Sequence, residues 1–258
     1  MYKKILVTGQ MRSGTTFLSN FLNSQNNITI YSDIFHVVVG KILTNPVKTI
    51  EIPYNKKLNK NEKETYLNLV QRGLDMLGDK TDYVLSIQVD NFETPKELYN
   101  LLLASIKKDD DRVVGHKVTE TEINVRNLLL NTDVNVIYII RDPRDQVLSS
   151  MKKFGYNLNT AIAKWRNGIE NILEINSKRL YIIKFEDLIY KKENLKNGLE
   201  KFLNIELNYN IQKVKQHNKD FISNSSFNDV KKAFDKNAVL RWKDKEDFII
   251  KYSNFAHK

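Results

Sequence analysis

Two glycines near the start of the chain, Gly9 and Gly14, are separated by four residues and follow an apolar segment. A turn of this kind between a strand and a helix points successive backbone N–H groups at an anion. In a nucleotide-hydrolysing P-loop, a lysine follows the second glycine and reaches the outer phosphates. Thr15 occupies that position here. The turn is therefore predicted to bind a phosphate, while metal-assisted chemistry on ATP or GTP is disfavoured.

Side chains in and after this turn add hydrogen-bond donors, and the run that begins at Arg12 reads Arg-Ser-Gly-Thr-Thr. This run resembles the donor-binding loop of sulfotransferases that use 3′-phosphoadenosine-5′-phosphosulfate (PAPS). The resemblance implies a phosphorylated donor other than a nucleoside triphosphate, bound at this turn. The residues that it implies as donor contacts are Arg12, Ser13, Gly14, Thr15, Thr16 and Phe17.

A second strand, turn and helix is predicted after Val134. The strand residues are mostly β-branched and apolar, as in a strand buried on both faces. Asp142 and Pro143 suit the N-cap and the first turn of the helix. Arg141 then lies at the carboxyl end of the strand, where the ligands of open α/β sheets collect. The sulfotransferase resemblance implies that Arg141 and Ser149 bind the 3′-phosphate of the donor.

Each of these two segments has a plainer interpretation when it is taken alone. A Gly-Thr-Thr turn can be an ordinary strand-to-helix connection, and Arg-Asp-Pro-Arg-Asp can be a capped helix start with solvated charges. Both segments follow a buried strand and occur in this order, so together they favour one pocket that holds a nucleotide at both ends. The Gly14 turn would take the sulfated side, and Arg141 with Ser149 would take the ribose side.

Two further segments extend the resemblance. Phe185 begins a Phe-Glu-Asp-Leu run that is similar to the Tyr-Glu-Asp-Leu segment of the family. This similarity implies that the Phe185 ring lies against the adenine, without the hydrogen bond that a tyrosine hydroxyl would add. Near the end of the chain, Arg241 and Trp242 are similar to the Arg-Trp element that closes over the donor in many members. Arg241 is therefore expected near the nucleotide.

The activity that the resemblance implies is transfer of a sulfuryl group from PAPS to an acceptor hydroxyl, or less often an amine, leaving adenosine 3′,5′-bisphosphate (PAP). The acceptor would be a carbohydrate or a small-molecule alcohol. Charge would build on the oxygen between sulfur and the 5′-phosphate, so fixed positive donors are needed there. Arg12 is the first candidate. Lys117 is the second, because it ends a predicted strand, where a buried charge is costly unless an anion lies close by.

A carboxylate is the expected base that removes the acceptor's proton. Asp33 follows the second predicted strand and matches by position the Glu that some members of the family use, although an N-cap or turn role is the alternative for this residue. His36 and His116 are the rival bases, in that order. A lone His beside a strand is more often a hydrogen-bonded structural residue than a catalyst.

Length and composition agree with a single α/β domain. The 258 residues contain no linker rich in Pro, Gly and Ser, and the absence of cysteine excludes disulfides and thiol catalysis. A central, mostly parallel β-sheet flanked by helices is predicted, in the three layers of a P-loop NTPase-like fold. Residues 34–94 are expected to form a helical insertion that faces the acceptor. A helix from Thr160 to Asn176 is predicted to bury a stripe that includes Trp165, Ile172 and Leu173.

The net charge of +10 would draw an anionic nucleotide or an acidic acceptor to a basic cleft. The lysines are scattered, however, as on solvated helix faces, and no segment with interleaved aromatic and basic residues indicates nucleic acid. The four histidines show no pair at metal-ligand spacing, so no metal is expected. The N-terminal apolar run is too short for a signal peptide, and no stretch approaches about 18 apolar residues. A cytoplasmic protein without stable membrane insertion is therefore predicted.

Two other classes of function stay open from the sequence alone. One is an atypical P-loop kinase or NTPase, which Thr15 disfavours, and the other is a catalytically inactive protein that retains nucleotide binding. Acceptor specificity is expected in residues 34–91 and in residues 152–159, because loops carry most binding specificity. The sequence pattern determines neither the acceptor nor the oligomeric state.

Overall fold

Five parallel strands form the centre of the computed structural model, which describes residues 2–32, 36–43, 54–75, 91–210 and 236–256. The strands lie in the order β2-β3-β1-β4-β5. Each pairing is parallel, so the carboxyl ends of all five strands meet at one edge of the sheet. Their bounds are Lys3–Thr8 (β1), Ile28–Ser32 (β2), Val113–Lys117 (β3), Asn135–Ile140 (β4) and Leu180–Lys184 (β5).

Helices connect the strands and cover both faces of the sheet. Those in the first part of the chain are Thr15–Asn23 (α1), His36–Leu43 (α2), Lys60–Asp75 (α3), Pro95–Ile106 (α4) and Glu122–Asn131 (α5). Those in the second part are Pro143–Phe154 (α6), Leu158–Leu173 (α7), Phe185–Ile189 (α8), Glu193–Leu203 (α9) and Glu246–Ala256 (α10), with a 3₁₀ turn at Lys236–Ala238.

Two apolar cores make the molecule a three-layer sandwich. On one face of the sheet, side chains of α2 to α5 and of α7 pack together with the strands. On the other face, α1, α8 and α9 pack against the sheet. The predicted α/β architecture with a central parallel sheet is confirmed. Among the described residues, no helix is both long and apolar enough to cross a bilayer.

Side-chain caps fix where several of these helices begin. Thr94 forms a capping box with Glu97 at the start of α4, in which the Thr94 hydroxyl accepts from the Glu97 N–H at 3.2 Å. The side chain of Asp142 accepts from the Arg144 N–H at 2.9 Å and caps α6, as the sequence predicts. Asn157 caps α7 in the same way. These local hydrogen bonds place α6 and α7 beyond the carboxyl end of β4.

Two sequence predictions are modified by the structure. α7 begins at Leu158 because Asn157 provides the cap, and Leu173, predicted to be buried, is 64% exposed. Ile172 is fully buried, and the next residue points about 100° away around the helix.

The predicted helical insertion contains α2 and α3, and the rest of residues 34–94 before α4 falls partly outside the described residues. A role for this segment in acceptor binding stays a prediction.

His116 lies inside the sheet rather than in a cleft. It pairs in register with Leu6 of β1 and Tyr31 of β2 and is 2% exposed. Its ring centroid lies 5.6 Å from that of Tyr99 on α4. Burial lowers the pKa of His116 to about 3, so the imidazole is neutral at physiological pH. These contacts favour the structural interpretation of this residue over a catalytic one.

The stability of the protein below pH 6.5 should therefore depend on His116. In the unfolded chain the ring has its ordinary pKa of 6.5, whereas the folded state excludes the proton down to about pH 3. This contribution is complete above pH 6.5 and is lost as the pH falls, with a slope of up to about 1.4 kcal/mol per pH unit. Urea unfolding at several pH values should give a flatter profile for His116→Gln than for the wild type. Parallel profiles would contradict the burial argument.

Candidate active site

The turn between β1 and α1 lies at the carboxyl end of the central strand. Gly14 has a φ of +104°, and a Cβ at this position would collide with the Phe185 ring. Only glycine satisfies both the dihedral angle and the available space. α1 has no acidic residue in its first turn and no side-chain hydrogen bond at its cap from the described residues. As at other helix N-termini, its first N–H groups face the turn and favour an anion there.

Arg12 projects from this turn toward α6. Its φ of +70° is uncommon for a residue with a side chain. The Arg12 Nε donates to the Oγ of Ser149 over 2.9 Å. Burial, followed by the positive charge of Arg241, lowers the pKa of Arg12. The two turns that the sequence assigns to the two ends of a nucleotide are thus adjacent and linked by a direct hydrogen bond.

Arg141 follows β4 and is 7% exposed. Its Nη1 donates to the carbonyl oxygen of Arg12 over 3.1 Å, and its Nη2 donates to the carbonyl oxygen of Ala238. The guanidinium carbon lies 4.8 Å from the centroid of the Phe185 ring. The Arg141 Nε is buried and has no hydrogen-bond partner among the described residues. A buried guanidinium that retains an unused N–H is a suitable partner for an anion.

The segment from residue 236 to 243 passes over this site and is fastened by Asp145 of α6, which is 1% exposed. The Asp145 Oδ2 accepts from the Leu240 N–H at 2.7 Å, and its Oδ1 accepts from the Arg241 N–H at 2.8 Å. Leu240 has a φ of +62°, which is strained for a leucine. Two charge-assisted hydrogen bonds offset this strain. They bring Arg241 beside the two arginines described above.

Three positive charges lie close together in the site, those of Arg12, Arg141 and Arg241. Arg241 lowers the pKa of both Arg12 and Arg141. The pKa of Arg141 falls to about 10, mainly because the group is buried, while Asp145 and Glu186 partly oppose this fall. Like charges that are held together attract a counter-ion. The arrangement can therefore bind an anion with several negative charges.

A second group of contacts holds the first turn of α6 against the segment from residue 236 to 243, the C-terminal segment. Arg144 donates twice to Asp142, from Nε to Oδ1 at 2.9 Å and from Nη2 to Oδ2 at 2.6 Å. Its guanidinium carbon lies 3.7 Å from the centroid of the Trp242 ring. Glu186 accepts from the Asp142 N–H at 2.9 Å. The Arg-Trp element that the sequence points to is therefore docked on α6 through Trp242.

The other predicted donor contacts around the turn are mainly buried. Ser13 is 1% exposed, and its Oγ donates to the Gln10 carbonyl oxygen over 2.7 Å, so it braces the turn. Thr15 is also buried. The Phe17 and Phe185 rings meet edge to face with centroids 6.0 Å apart. Both rings belong to the core below the turn, and Phe185 packs there under Arg141 rather than presenting an open face. An adenine contact at Phe185 stays a prediction.

The remaining predicted site residues are located as follows. Lys117 ends β3 and is buried between β1 and β2. Thr16, predicted as a donor contact, lies partly exposed in the first turn of α1. Asp33 falls outside the described residues. His36 begins α2, but its side chain is also outside the described part of the structure. The assignment of the base therefore rests on the sequence alone.

Sequence reasoning missed several residues that shape the site. Asp145 and Glu186 supply the negative charge next to Arg141. Gln146 donates from Nε2 to the Gln10 Oε1 at 2.8 Å and ties α6 to the turn after β1. The spacing of four residues between Arg141 and Asp145 was the available signal, because both follow the same strand. The partners of Asp145 are 95 and 96 residues away, which no local pattern reveals.

The fold and the turn define a P-loop NTPase-like α/β protein with a cluster of arginines at the carboxyl edge of its sheet. A family model described as the sulfotransferase family matches residues 4–209. The chain belongs to the sulfotransferase family. No curated protein sequence matches the chain significantly.

Two solved structures of sulfotransferase domains show the same fold. The sulfotransferase domain of the Synechococcus PCC 7002 olefin synthase has a TM-score of 0.61 at 15% sequence identity, covering 100% of this chain and 96% of that one. The sulfotransferase domain of the curacin biosynthetic pathway has a TM-score of 0.53 at 16% identity, covering 84% of this chain and 78% of that one.

Substitution of Gly14 should be much more damaging than substitution of another glycine with positive φ. Gly155 has a φ of +69°, and nothing lies within 4 Å of its Cβ position, so Gly155→Ala should cost about 1 kcal/mol. Gly14→Ala adds the collision with Phe185 and should cost roughly 2–4 kcal/mol. Chemical denaturation of both variants measures the difference. Equal losses would show that the contact between the turn and Phe185 is not close.

Asp145 should be important for the attachment of the C-terminal segment. Asn has the same shape but only one oxygen acceptor and no charge, so Asp145→Asn removes one of two charge-assisted, part-buried hydrogen bonds. The free energy of unfolding should fall by roughly 1.5–3 kcal/mol. Asp244→Asn, which changes an exposed carboxylate in the same part of the chain, is the matched control. Similar stability of the two variants in urea would contradict this role of Asp145.

Proposed function

We propose that this protein transfers the sulfuryl group of PAPS to an acceptor hydroxyl. The observation that supports this proposal is the meeting of Arg12, Arg141 and Arg241 where the glycine turn contacts α6. A nucleotide with phosphates on both its 5′ and 3′ sides would balance positive charge at two adjacent places. The donor would lie with its sulfated side at the Gly14 turn and its 3′-phosphate toward Arg141 and Ser149.

In the proposed reaction the acceptor oxygen forms a bond to sulfur while the bond from sulfur to the 5′-phosphate oxygen breaks. Negative charge then grows on the departing oxygen, and Arg12 and Lys117 are the groups that would stabilise it. Arg12 donates to Ser149 in the structure, so its Nε is already held within the site. The proton of the acceptor would go to Asp33 or, as the alternative, to His36.

Binding of PAP should separate this proposal from ATP chemistry. A ligand at about one hundred times its Kd stabilises by about 2.7 kcal/mol, which should raise the melting temperature by roughly 5–10 °C in a domain of this size. PAP should produce this shift without metal, and ATP with Mg²⁺ should produce a smaller one. A larger shift with ATP and Mg²⁺ would favour a kinase or NTPase.

The same measurement tests the residues. Arg141→Ala and the milder Ser149→Ala should reduce the PAP shift, each relative to the melting temperature of the unliganded variant. Arg126→Ala is the control, because Arg126 is exposed on α5 and pairs with Glu174 at 3.9 Å. A full PAP shift in both site variants would refute the assignment of the 3′-phosphate.

The base is tested by turnover with labelled donor sulfate. Asp33→Ala should bind PAP normally and lose sulfuryl transfer, because removing the base affects the chemical step more than donor binding. Normal transfer by Asp33→Ala together with loss in His36→Ala would move the assignment to His36.

A further inference from the structure

A cavity of about 280 Å³ opens next to the arginine site, between α6 and α7. Its volume is close to the lower end of the range of about 300–1,000 Å³ for small-molecule pockets. Two of its wall residues are the direct chain neighbours of site residues: Met11 precedes Arg12, and Ser150 follows Ser149. The cavity therefore borders the chain segments that carry Arg12 and Ser149.

Hydrogen bonds connect the elements that form the wall between the cavity and the arginine site. Gln146 of α6 donates from Nε2 to the Gln10 Oε1 at 2.8 Å and to the Met11 carbonyl oxygen at 3.2 Å. Gln10 in turn donates from Nε2 to the Lys164 carbonyl oxygen on α7 at 2.6 Å. The cavity is therefore built between α6, α7 and the turn after β1.

Apolar and aromatic side chains form part of the cavity wall. Among them, Met11 and Phe154 are 37% and 38% exposed. Tyr156 and Trp165 also line the cavity, and the Phe154 and Tyr156 ring centroids lie 5.4 Å apart. Exposed apolar residues that gather around one cavity indicate a binding site for a ligand with an apolar body.

The charges around the cavity oppose those of the rest of the protein. Glu120 and Glu122 line it, and Lys164 is the cationic residue on the α7 side. Glu120 has a φ of +59°, and its N–H donates to the Gly9 carbonyl oxygen at 3.2 Å, which holds it next to the turn. Glu122 is buried and accepts from the Tyr138 hydroxyl at 2.9 Å. Acidic side chains therefore outnumber the one basic side chain on the described wall of the cavity, which disfavours an anionic ligand here.

We propose that this cavity is the acceptor site and that the acceptor is a small, largely apolar alcohol without negative charge, rather than an acidic polysaccharide. This inference rests on the proposed sulfuryl transfer and specifies its second substrate. It places acceptor recognition on α6, α7 and residues 152–159, in addition to whatever residues 34–94 contribute.

Three phenols of similar shape test the charge preference. Tyramine is cationic, 4-ethylphenol is neutral and 4-hydroxyphenylacetate is anionic. With labelled donor sulfate, kcat/KM for the first two should exceed that for the anion by at least about tenfold, as expected for like charges at close range. N-sulfated heparosan should not be sulfated. In the double variant Glu120→Gln with Glu122→Gln, the disadvantage of the anionic phenol should shrink. Preferential sulfation of heparosan or of the anionic phenol would overturn the proposal.

A plugged cavity tests the location. Ser150→Phe on one wall and Asn167→Phe on the other should abolish binding of 4-ethylphenol while PAP still raises the melting temperature. Arg166→Phe is the matched control on α7, because Arg166 is exposed and is not among the cavity-lining residues. Binding of 4-ethylphenol is followed by ligand-observed NMR, with and without PAP. Undiminished binding in both plugged variants, or no binding to the wild type at millimolar phenol, would overturn the proposal.

The two proposals can fail separately. If the donor site does not exist, PAP will not raise the melting temperature of the wild type. The phenol will still bind to the wild type, and the two Phe substitutions will still prevent its binding. Loss of the acceptor site would appear as a normal PAP shift with phenol binding that the plugs do not change.

Discussion

The site depends on one buried positive group. The guanidinium of Arg141 is 7% exposed, beneath the C-terminal segment and above the Phe185 ring. Burying a charge costs free energy unless other groups compensate. Two backbone carbonyl oxygens, an aromatic face and the nearby Asp145 supply part of that compensation. The Nε of Arg141, which has no partner among the described residues, and the positive charges of Arg12 and Arg241 beside it make the site suited to an anion.

Three distant parts of the chain meet around this group. The turn after β1 contributes the Arg12 carbonyl, α6 contributes Ser149 and Asp145, and the segment near residue 240 contributes its backbone. The parallel sheet makes this possible, because β1 and β4 are neighbours and their carboxyl ends open at the same edge. The glycine turn and α6 are therefore in contact, although Arg12 and Ser149 are 137 residues apart in the sequence. The C-terminal segment has no such topological constraint and is held by its hydrogen bonds to Asp145 and Arg141 and by the contact between Trp242 and Arg144.

The features that the sequence predicts well are those set by local physics. The strand before Arg141, the cap at Asp142 and the glycine turn each follow from neighbouring residues. The other features of the site depend on tertiary packing between distant parts of the chain. The Phe185 ring fills the space that Gly14 leaves open, a contact that its motif does not reveal, and its predicted contact with adenine stays a prediction. The partners of Asp145 and the carboxylates of the cavity come together only after the chain has folded.

The placement of Ser149 and Ser150 on α6 has an evolutionary consequence. These adjacent residues face different compartments, the first toward Arg12 and the second toward the cavity. A single-residue insertion or deletion earlier in α6 would rotate both by about 100° and misalign both compartments at once. Of these two compartments, α7 borders only the cavity. Substitutions at its exposed positions therefore leave the arginine cluster undisturbed. With the cavity as the proposed acceptor site, diversification of acceptor preference among related proteins should concentrate on α7, while the length of α6 stays fixed.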